Sequence, residues 1–165
     1  MTPAAILLSL VTFERLAELW LARRNTANLL AKGGQEVAAA HYPAIVMLHA
    51  LWLSGLWLLA AARPVSLPWL GIFLILQLLR GWVLLTLGDR WTTRIIVLPG
   101  APLVSHGVYR AMRHPNYVGV AGEVLGSALW MRAPITGTLF VVTFGLILFQ
   151  RIRIEERALG LVPRA

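Results

Sequence analysis

The sequence predicts an all-α integral membrane protein, a single domain over 1–165 with five transmembrane helices, the last two forming a tight hairpin. Three observations predict it. The hydrophobic set makes up 58% of the chain and charged residues only 13%, whereas soluble domains carry about 25% charge; mean hydropathy is +0.72. The apolar residues fall into five runs separated by polar stretches. Lys and Arg concentrate in alternate connections, as successive crossings of a bilayer require. A length of 165 residues suits one domain and is short for two, and the composition excludes a disordered chain.

A bilayer core of about 30 Å takes roughly 20 helical residues. The first run, 3–21, opens PAAILLSLVTF and reaches an interface at Trp20. It has no basic leading segment and ends in Glu14, Arg15 and Glu18, so it reads as a span rather than a cleaved leader. The second and third runs, 43–62 and 68–88, each open with proline, which suits a first helical turn. The fourth, 118–131, covers only about 20 Å. Gly119, Gly122 and Gly126 mark one side of it and predict close packing against the fifth helix. The fifth, 134–152, precedes the charged extension RIRIEERAL, and the hairpin breaks at Arg132-Ala133-Pro134. Residues 161–164 read LVPR, a protease-site spacer, and stay outside the mechanism.

Orientation follows from the basic residues. The 22–42 loop carries Arg23, Arg24 and Lys32, the next connection only Arg63, and the 89–117 loop Arg90, Arg94, Arg110 and Arg113. The last turn has only Arg132, and the tail has Arg151, Arg153 and Arg157. The expected arrangement puts the N-terminus outside, with 22–42, 89–117 and the tail in the cytoplasm. A formal net charge of +8 does not indicate a nucleic-acid partner, because the arginines sit between apolar runs rather than on a soluble basic face. The absence of cysteine excludes disulfides and thiolate chemistry. No metal motif, phosphate loop or nucleotide-binding glycine fingerprint is present in the sequence.

Charges inside apolar runs are costly and face a partner or a wet cavity. Glu14 and Glu18 stand one turn apart on the first span, and Arg80 interrupts the third. Counted from the helix ends, Glu14 and Arg80 lie at similar depth, about 11 Å in. This predicts a Glu14–Arg80 ion pair, with a substrate or cofactor contact as the alternative. His49 is mid-span without a second ligand at helical spacing, and a helix–helix hydrogen bond is the expectation for it. A denser cluster lies at 105–123: His106, Tyr109, Arg110, Arg113, His114, Tyr117 and Glu123, with Asn116 as the expected helix cap. Such a set suits a pocket for a polar, charged small molecule. Arg151 and Glu155 share a face at i,i+4, as do Arg153 and Arg157, and here the residues alone leave surface pairing and a cleft both open.

The stretch GVYRAMRHPNYVG at 107–119, followed by Glu123 and by RIRIEERAL at 151–159, resembles the isoprenylcysteine carboxyl methyltransferase family. The front half, with ERLAE at 14–18, RRN at 23–25 and KGGQEVAAAHY at 32–42, resembles a bacterial branch found beside type III polyketide synthases that includes O-methyltransferases of alkylpyrones and alkylresorcinols. The resemblance covers about residues 11–159. It implies S-adenosylmethionine as cofactor, no metal, and a lipidic acceptor entering from a bacterial inner membrane. Carried over, it places Tyr109, Arg113, His114, Pro115, Tyr117, Gly119 and Glu123 at the cofactor and Arg151 or Arg153, with Glu155, at the acceptor. The family often continues into an aromatic tail that closes the site; here closure is expected from the 22–42 loop or from a second copy in a homodimer. A hydroxyl acceptor needs a base, for which Glu155 is suited; an isoprenylcysteine carboxylate needs only arginine. A sterol-type reductase and a non-enzymatic membrane assembly module are the rivals.

Overall fold

The structure, a computed structural model, describes residues 1–131 and 134–161. It is mostly helical. Helix α1, Pro3–Ala31, is capped by Thr2, whose Oγ1 accepts the Ala5 N–H at 3.0 Å. At 29 residues it is about 43 Å long. It therefore runs ten residues beyond the expected span and takes Arg23 and Arg24 out of the expected 22–42 loop. No glycine or proline interrupts 22–31, and the helix stops only before Gly33, at φ +87. Helices α2 (Tyr42–Ala60), α3 (Leu67–Leu87), α4 (Pro115–Met131) and α5 (Pro134–Ala158) follow. Among the described residues three helical segments are long and apolar enough to cross a membrane: Ala39–Ala60, Leu67–Arg90 and Ile135–Ala158. The expected hairpin break at 132–133 and residues 162–164 lie outside the described residues.

Apolar side chains cover the outside of the bundle. Leu58 is 84% exposed, Leu85 86% and Ile135 79%, which suits hydrocarbon around the helices and not water. One core joins Leu8 of α1, Leu48, Trp52 and Leu56 of α2, Val120 and Val124 of α4, and Phe144 and Leu148 of α5. The glycine side of α4 faces α3 and not α5 as expected. A Cβ on Gly122 would lie 2.8 Å from Leu76, and one on Gly126 would meet Trp69. Small residues let two backbones approach; α3 approaches on the side of Gly122 and Gly126, while α4 packs along α5 as well.

A short antiparallel ribbon joins the front of the chain to its middle. Strand β1 (Gln35–Val37) pairs with β2 (Ile95–Val97), Glu36 opposite Ile96. The Asn25 side chain of α1, fully buried, donates through Nδ2 to the carbonyls of Gly88 and Trp91 at 3.1 and 2.8 Å. These bonds tie the extended end of α1 to the segment that leads into β2. Replacing Asn25 with alanine leaves two carbonyls without that donor, at an expected cost of about 1–3 kcal/mol. Thermal unfolding in detergent reads it directly, and an unchanged melting temperature would remove Asn25 from the fold's supports.

Candidate functional site

A cavity of about 820 Å³ lies at the end of the bundle where α1, α3 and α5 finish and α2 and α4 begin. Segment 88–114 folds across it. Within that segment Gly107 takes φ +57, and a Cβ there would lie 2.6 Å from Thr86 Oγ1, so a left-handed, side-chain-free residue is required. The short 3-10 helix Gly107–Arg110 then carries Tyr109 to the cavity wall. Pro115 opens α4, fully buried, and its fixed φ suits the first helical turn. That turn sets His114 and Tyr117, three residues apart, beside the last turns of α5.

Arg151, Tyr117 and Glu155 form one network. Arg151 Nε donates to Tyr117 Oη at 3.0 Å, and the Tyr117 hydroxyl donates to Glu155 Oε2. Arg151 Nη2 also donates to the Thr93 carbonyl at 2.5 Å. The i,i+4 spacing on α5 aims Arg151 and Glu155 into the same cavity. Among the described residues no donor meets Glu155 Oε1. His114 Nε2 lies 3.2 Å from Glu156 Oε1, and its ring is tilted against Tyr117 with centroids 5.7 Å apart. Burial, with the Glu155 charge second, pushes the Tyr109 phenol up to about 12. Tyr109 is therefore a neutral aromatic face and hydroxyl at physiological pH, not a base.

The ribbon braces this network from the other side. Arg94 Nη1 donates to both Glu36 oxygens at 2.8 and 2.9 Å, and its guanidinium lies 4.2 Å from the centre of the Tyr42 ring. Thr93 Oγ1 donates to Tyr42 Oη at 3.3 Å. Thr93, whose carbonyl holds Arg151, is thus pinned beside β2 by contacts from α2 and β1. Most of the covering wall comes from residues 90–105, to which the expected 22–42 closure adds only Leu29 and Tyr42.

The structure brings Tyr109, Arg113, His114, Tyr117, Arg151 and Glu155 around one cavity. Pro115 and Gly119 are buried just behind it. Arg153 is exposed with its guanidinium 5.6 Å from the Phe149 ring centre, so of the two arginines only Arg151 faces the cavity. Glu123 lies apart from the expected group, between Arg15 and Arg80 at 3.5 and 3.7 Å. The expected Glu14–Arg80 pair does not form: Arg80 binds both oxygens of Glu18, one turn on, while Glu14 accepts from Gln77. The depth count started from an expected helix end at residue 21, whereas α1 runs on to Ala31, and the carboxylate that meets Arg80 lies one turn, about 6 Å, from the one the count selects. His49 bonds the Ile45 carbonyl of its own helix at 2.8 Å and not a neighbouring helix as expected.

Two polar residues at the cavity were not legible beforehand. Asn116, expected as a cap, sits inside the first turn of α4 and lines the cavity with a buried Oδ1 that lacks a hydrogen-bond partner among the described residues. Trp91, 2% exposed, lines it with an unpartnered Nε1–H. One is an acceptor and the other a donor, each without a protein partner among the described residues. Aromatic faces beside a carboxylate suit a cationic ligand, and Glu155 with Arg151 suits deprotonation of a hydroxyl and retention of the resulting oxyanion.

The chain matches the model of the isoprenylcysteine carboxyl methyltransferase family over residues 69–160, which include every residue of the network. It is 38% identical over 160 residues to the uncharacterized protein YpbQ of Bacillus subtilis, covering 93% of this chain and 95% of that one. It is also similar to protein-S-isoprenylcysteine O-methyltransferase A of Arabidopsis thaliana, 41% over 54 residues, and to the Saccharomyces cerevisiae protein-S-isoprenylcysteine O-methyltransferase, 35% over 57 residues. Those two alignments cover 33% and 34% of this chain and 27% and 24% of the respective enzymes.

Proposed function

Because the chain belongs to the isoprenylcysteine carboxyl methyltransferase family, we propose that it transfers a methyl group from S-adenosylmethionine to an oxygen of a lipidic acceptor at the membrane, the acceptor being a phenolic or enolic hydroxyl such as an alkylpyrone carries. The observation that carries this reading is the Arg151–Tyr117–Glu155 network facing a cavity of about 820 Å³ beside the RHPNY turn.

The residues present fit the cofactor. Asn116 Oδ1 and Trp91 Nε1, both orphaned at the cavity wall, match the hydrogen-bonding edges of an adenosyl group. Arg113 suits its carboxylate, and the Tyr109 and Tyr117 rings suit a sulfonium. When bound, the cofactor supplies an electrophilic methyl on that sulfonium. Glu155 takes the acceptor's hydroxyl proton on Oε1, the oxygen not engaged by Tyr117. Arg151 holds the oxyanion that develops, itself fixed by Tyr117 and the Thr93 carbonyl. The covering 90–105 segment keeps water from the nucleophile, so positioning and dryness supply much of the rate. The acceptor's alkyl tail lies along Leu16, Leu19, Val46 and Leu53, apolar residues that line the same cavity.

The direct test supplies purified protein with methyl-labelled cofactor and a lipid panel, and compares stabilisation by S-adenosylhomocysteine and by NADPH. Label in an alkylpyrone or alkylphenol, with stabilisation by the homocysteine product alone, is the expected result; stabilisation by NADPH alone overturns it. His114→Ala and Tyr117→Phe are each expected to weaken S-adenosylhomocysteine about tenfold, the first by removing the ring packed against Tyr117, the second by releasing the Arg151–Glu155 arrangement that the Tyr117 hydroxyl holds. Calorimetry giving wild-type affinity in both variants would move the cofactor elsewhere. The relatives named as isoprenylcysteine methyltransferases favour a second reading, carboxyl methylation, which needs no base.

The five-span topology belongs to the same proposal, with 89–117 in the cytoplasm, where the cofactor is made, and an inner-membrane location. Single cysteines at positions 66 and 105 in place of serine are expected to label from opposite sides of intact cells. Equal labelling of both from outside would refute that orientation.

A further inference from the structure

The segment KGGQEVAAAHY at 32–42 contributes no residue to the Arg151–Tyr117–Glu155 network, yet it is folded tightly against it. The Gly34 N–H donates to the Leu29 carbonyl at 2.8 Å, and a Cβ on Gly34 would lie 2.9 Å from Ile96 Cγ2. The chain therefore leaves α1 and enters β1 with no room for a side chain at the corner. After β1, Ala38 takes φ +53 and ψ +45, a left-handed conformation that is unfavourable for a residue with a Cβ. Among the described residues it is the one non-glycine with positive φ. Strain of this kind persists only where the surroundings hold it. The reversal leads through the turn Ala39–His41 to Tyr42 at the head of α2.

The two corners bring Glu36 and Tyr42 to one guanidinium. Arg94 Nη1 donates to both Glu36 oxygens at 2.8 and 2.9 Å, and the guanidinium carbon lies 4.2 Å from the centre of the Tyr42 ring. The Glu36 side chain is only 18% exposed, so solvent screens this pair less than a surface one. The Arg94 N–H donates to Thr92 Oγ1 at 3.1 Å, and that hydroxyl meets Thr26 Oγ1 of α1 at 2.7 Å. Between them, Thr93 donates to Tyr42 Oη at 3.3 Å, and its carbonyl accepts from Arg151 Nη2 at 2.5 Å. Each link from Glu36 to Arg151 is thus a direct contact or a peptide bond. Tyr42, Arg94 and Arg151 line both the main cavity and a small hollow on the ribbon side, so they stand in one partition.

We infer that Glu36, Tyr42 and Arg94 are positioning residues for Arg151. They fix the Thr93 carbonyl, and that carbonyl, with Tyr117, fixes the direction of the Arg151 guanidinium at the cavity. An arginine held at one point only keeps much of its rotamer freedom, and a loosely aimed donor stabilises a developing oxyanion poorly. Arg94 borders the cavity as well, but its charge is met by Glu36. The effect on rate rests on the methyltransferase reading of the same cavity and deepens it.

The experiment follows phenylglyoxal modification of each arginine in the full chain in detergent, read by peptide mass spectrometry. In Glu36→Ala and in Tyr42→Leu, Arg151 is expected to react about tenfold faster than in wild type, close to the worth of one hydrogen bond to a charged group. Tyr42→Phe keeps the ring under the guanidinium and is expected to stay within about threefold. Arg80, 7% exposed, reports on the fold, and either disrupting variant that keeps it protected decides. Transfer of labelled methyl to a phenolic lipid is measured on the same proteins. There kcat is expected to fall about tenfold, while affinity for S-adenosylhomocysteine stays within about twofold of wild type. Unchanged Arg151 reactivity in Glu36→Ala and Tyr42→Leu overturns the inference. So does release of Arg80 together with Arg151 in both, which would make the segment a support of the whole fold. A loss of kcat with Arg151 still protected also overturns it and puts Arg94 at the acceptor. Absence of homocysteine binding and of methyl transfer in wild type, with Arg151 released in the variants, would instead sink the methyltransferase reading and leave the positioning standing.

Discussion

Glu155→Gln is expected to lower kcat for a hydroxyl-bearing lipid by about 10²–10⁴-fold, the usual contribution of a positioned general base. Affinity for S-adenosylhomocysteine should stay near wild type. The substitution is close to isosteric and keeps a carbonyl oxygen for the Tyr117 hydroxyl, so the Arg151–Tyr117 arrangement survives and only basicity is lost. Because the proton leaves in the transition state, kcat and kcat/KM fall together. A surface ion pair contributes well under a factor of ten and cannot produce such a loss. Both constants, measured across pH with a phenolic or pyrone lipid, decide the matter. A near-wild-type kcat throughout would reject the base and favour an acceptor already ionised, the carboxylate of the second reading. Collapse of cofactor affinity would reassign Glu155 to the cofactor pocket.

Arg80→Met should produce the largest stability loss of any single change. It takes from Glu18, bound through both oxygens, and from Glu123 one of their two guanidinium partners at sites only 8% and 4% exposed, and leaves Arg15 alone against the buried carboxylates. Breaking a buried pair from one side costs about 3–5 kcal/mol, because the surviving charge is stranded. Among apolar helices no water restores it. The pair removed together, Glu18→Gln with Arg80→Met, is expected to recover a large part of that loss, since most of it is desolvation. Thermal unfolding of the three proteins in detergent is the measurement. If Arg80→Met melts with wild type, the cluster does not hold α1, α3 and α4 together.

Much of the site was legible because it is local. RHPNY places His114 and Tyr117 on one helical turn wherever that helix packs, and i,i+4 spacing puts Arg151 and Glu155 on one face of α5 regardless of its neighbours. The proline-led starts of α2 and α3 were equally local. Features that depend on a neighbour were not legible. Glu14 and Glu18 are a turn apart, about 6 Å in depth, and only the placement of α1, which runs on to Ala31, against α3 gives Arg80 to Glu18. The ribbon of Gln35–Val37 with Ile95–Val97 is three residues a side, too short for a periodic signal. Thr93 enters the site through its backbone carbonyl, which carries no residue signature.

The sequence by itself determined that the chain is a helical membrane protein, where most of its helices start, and which two short motifs meet at the candidate site. Those properties follow from composition, from proline and glycine punctuation, and from spacing within a single helix. Only the tertiary structure decided which way each helix faces. It turned the glycine side of α4 to α3, drew Glu123 out of the expected cofactor group, and set Thr93 behind Arg151. In a soluble protein, periodicity would report those rotations, because water and core differ in polarity. Around these helices, lipid and protein interior are equally apolar, so the hydrophobic pattern carries little information about facing. Orientation comes instead from small-residue contacts and from the few buried charges, whose partners lie on other helices.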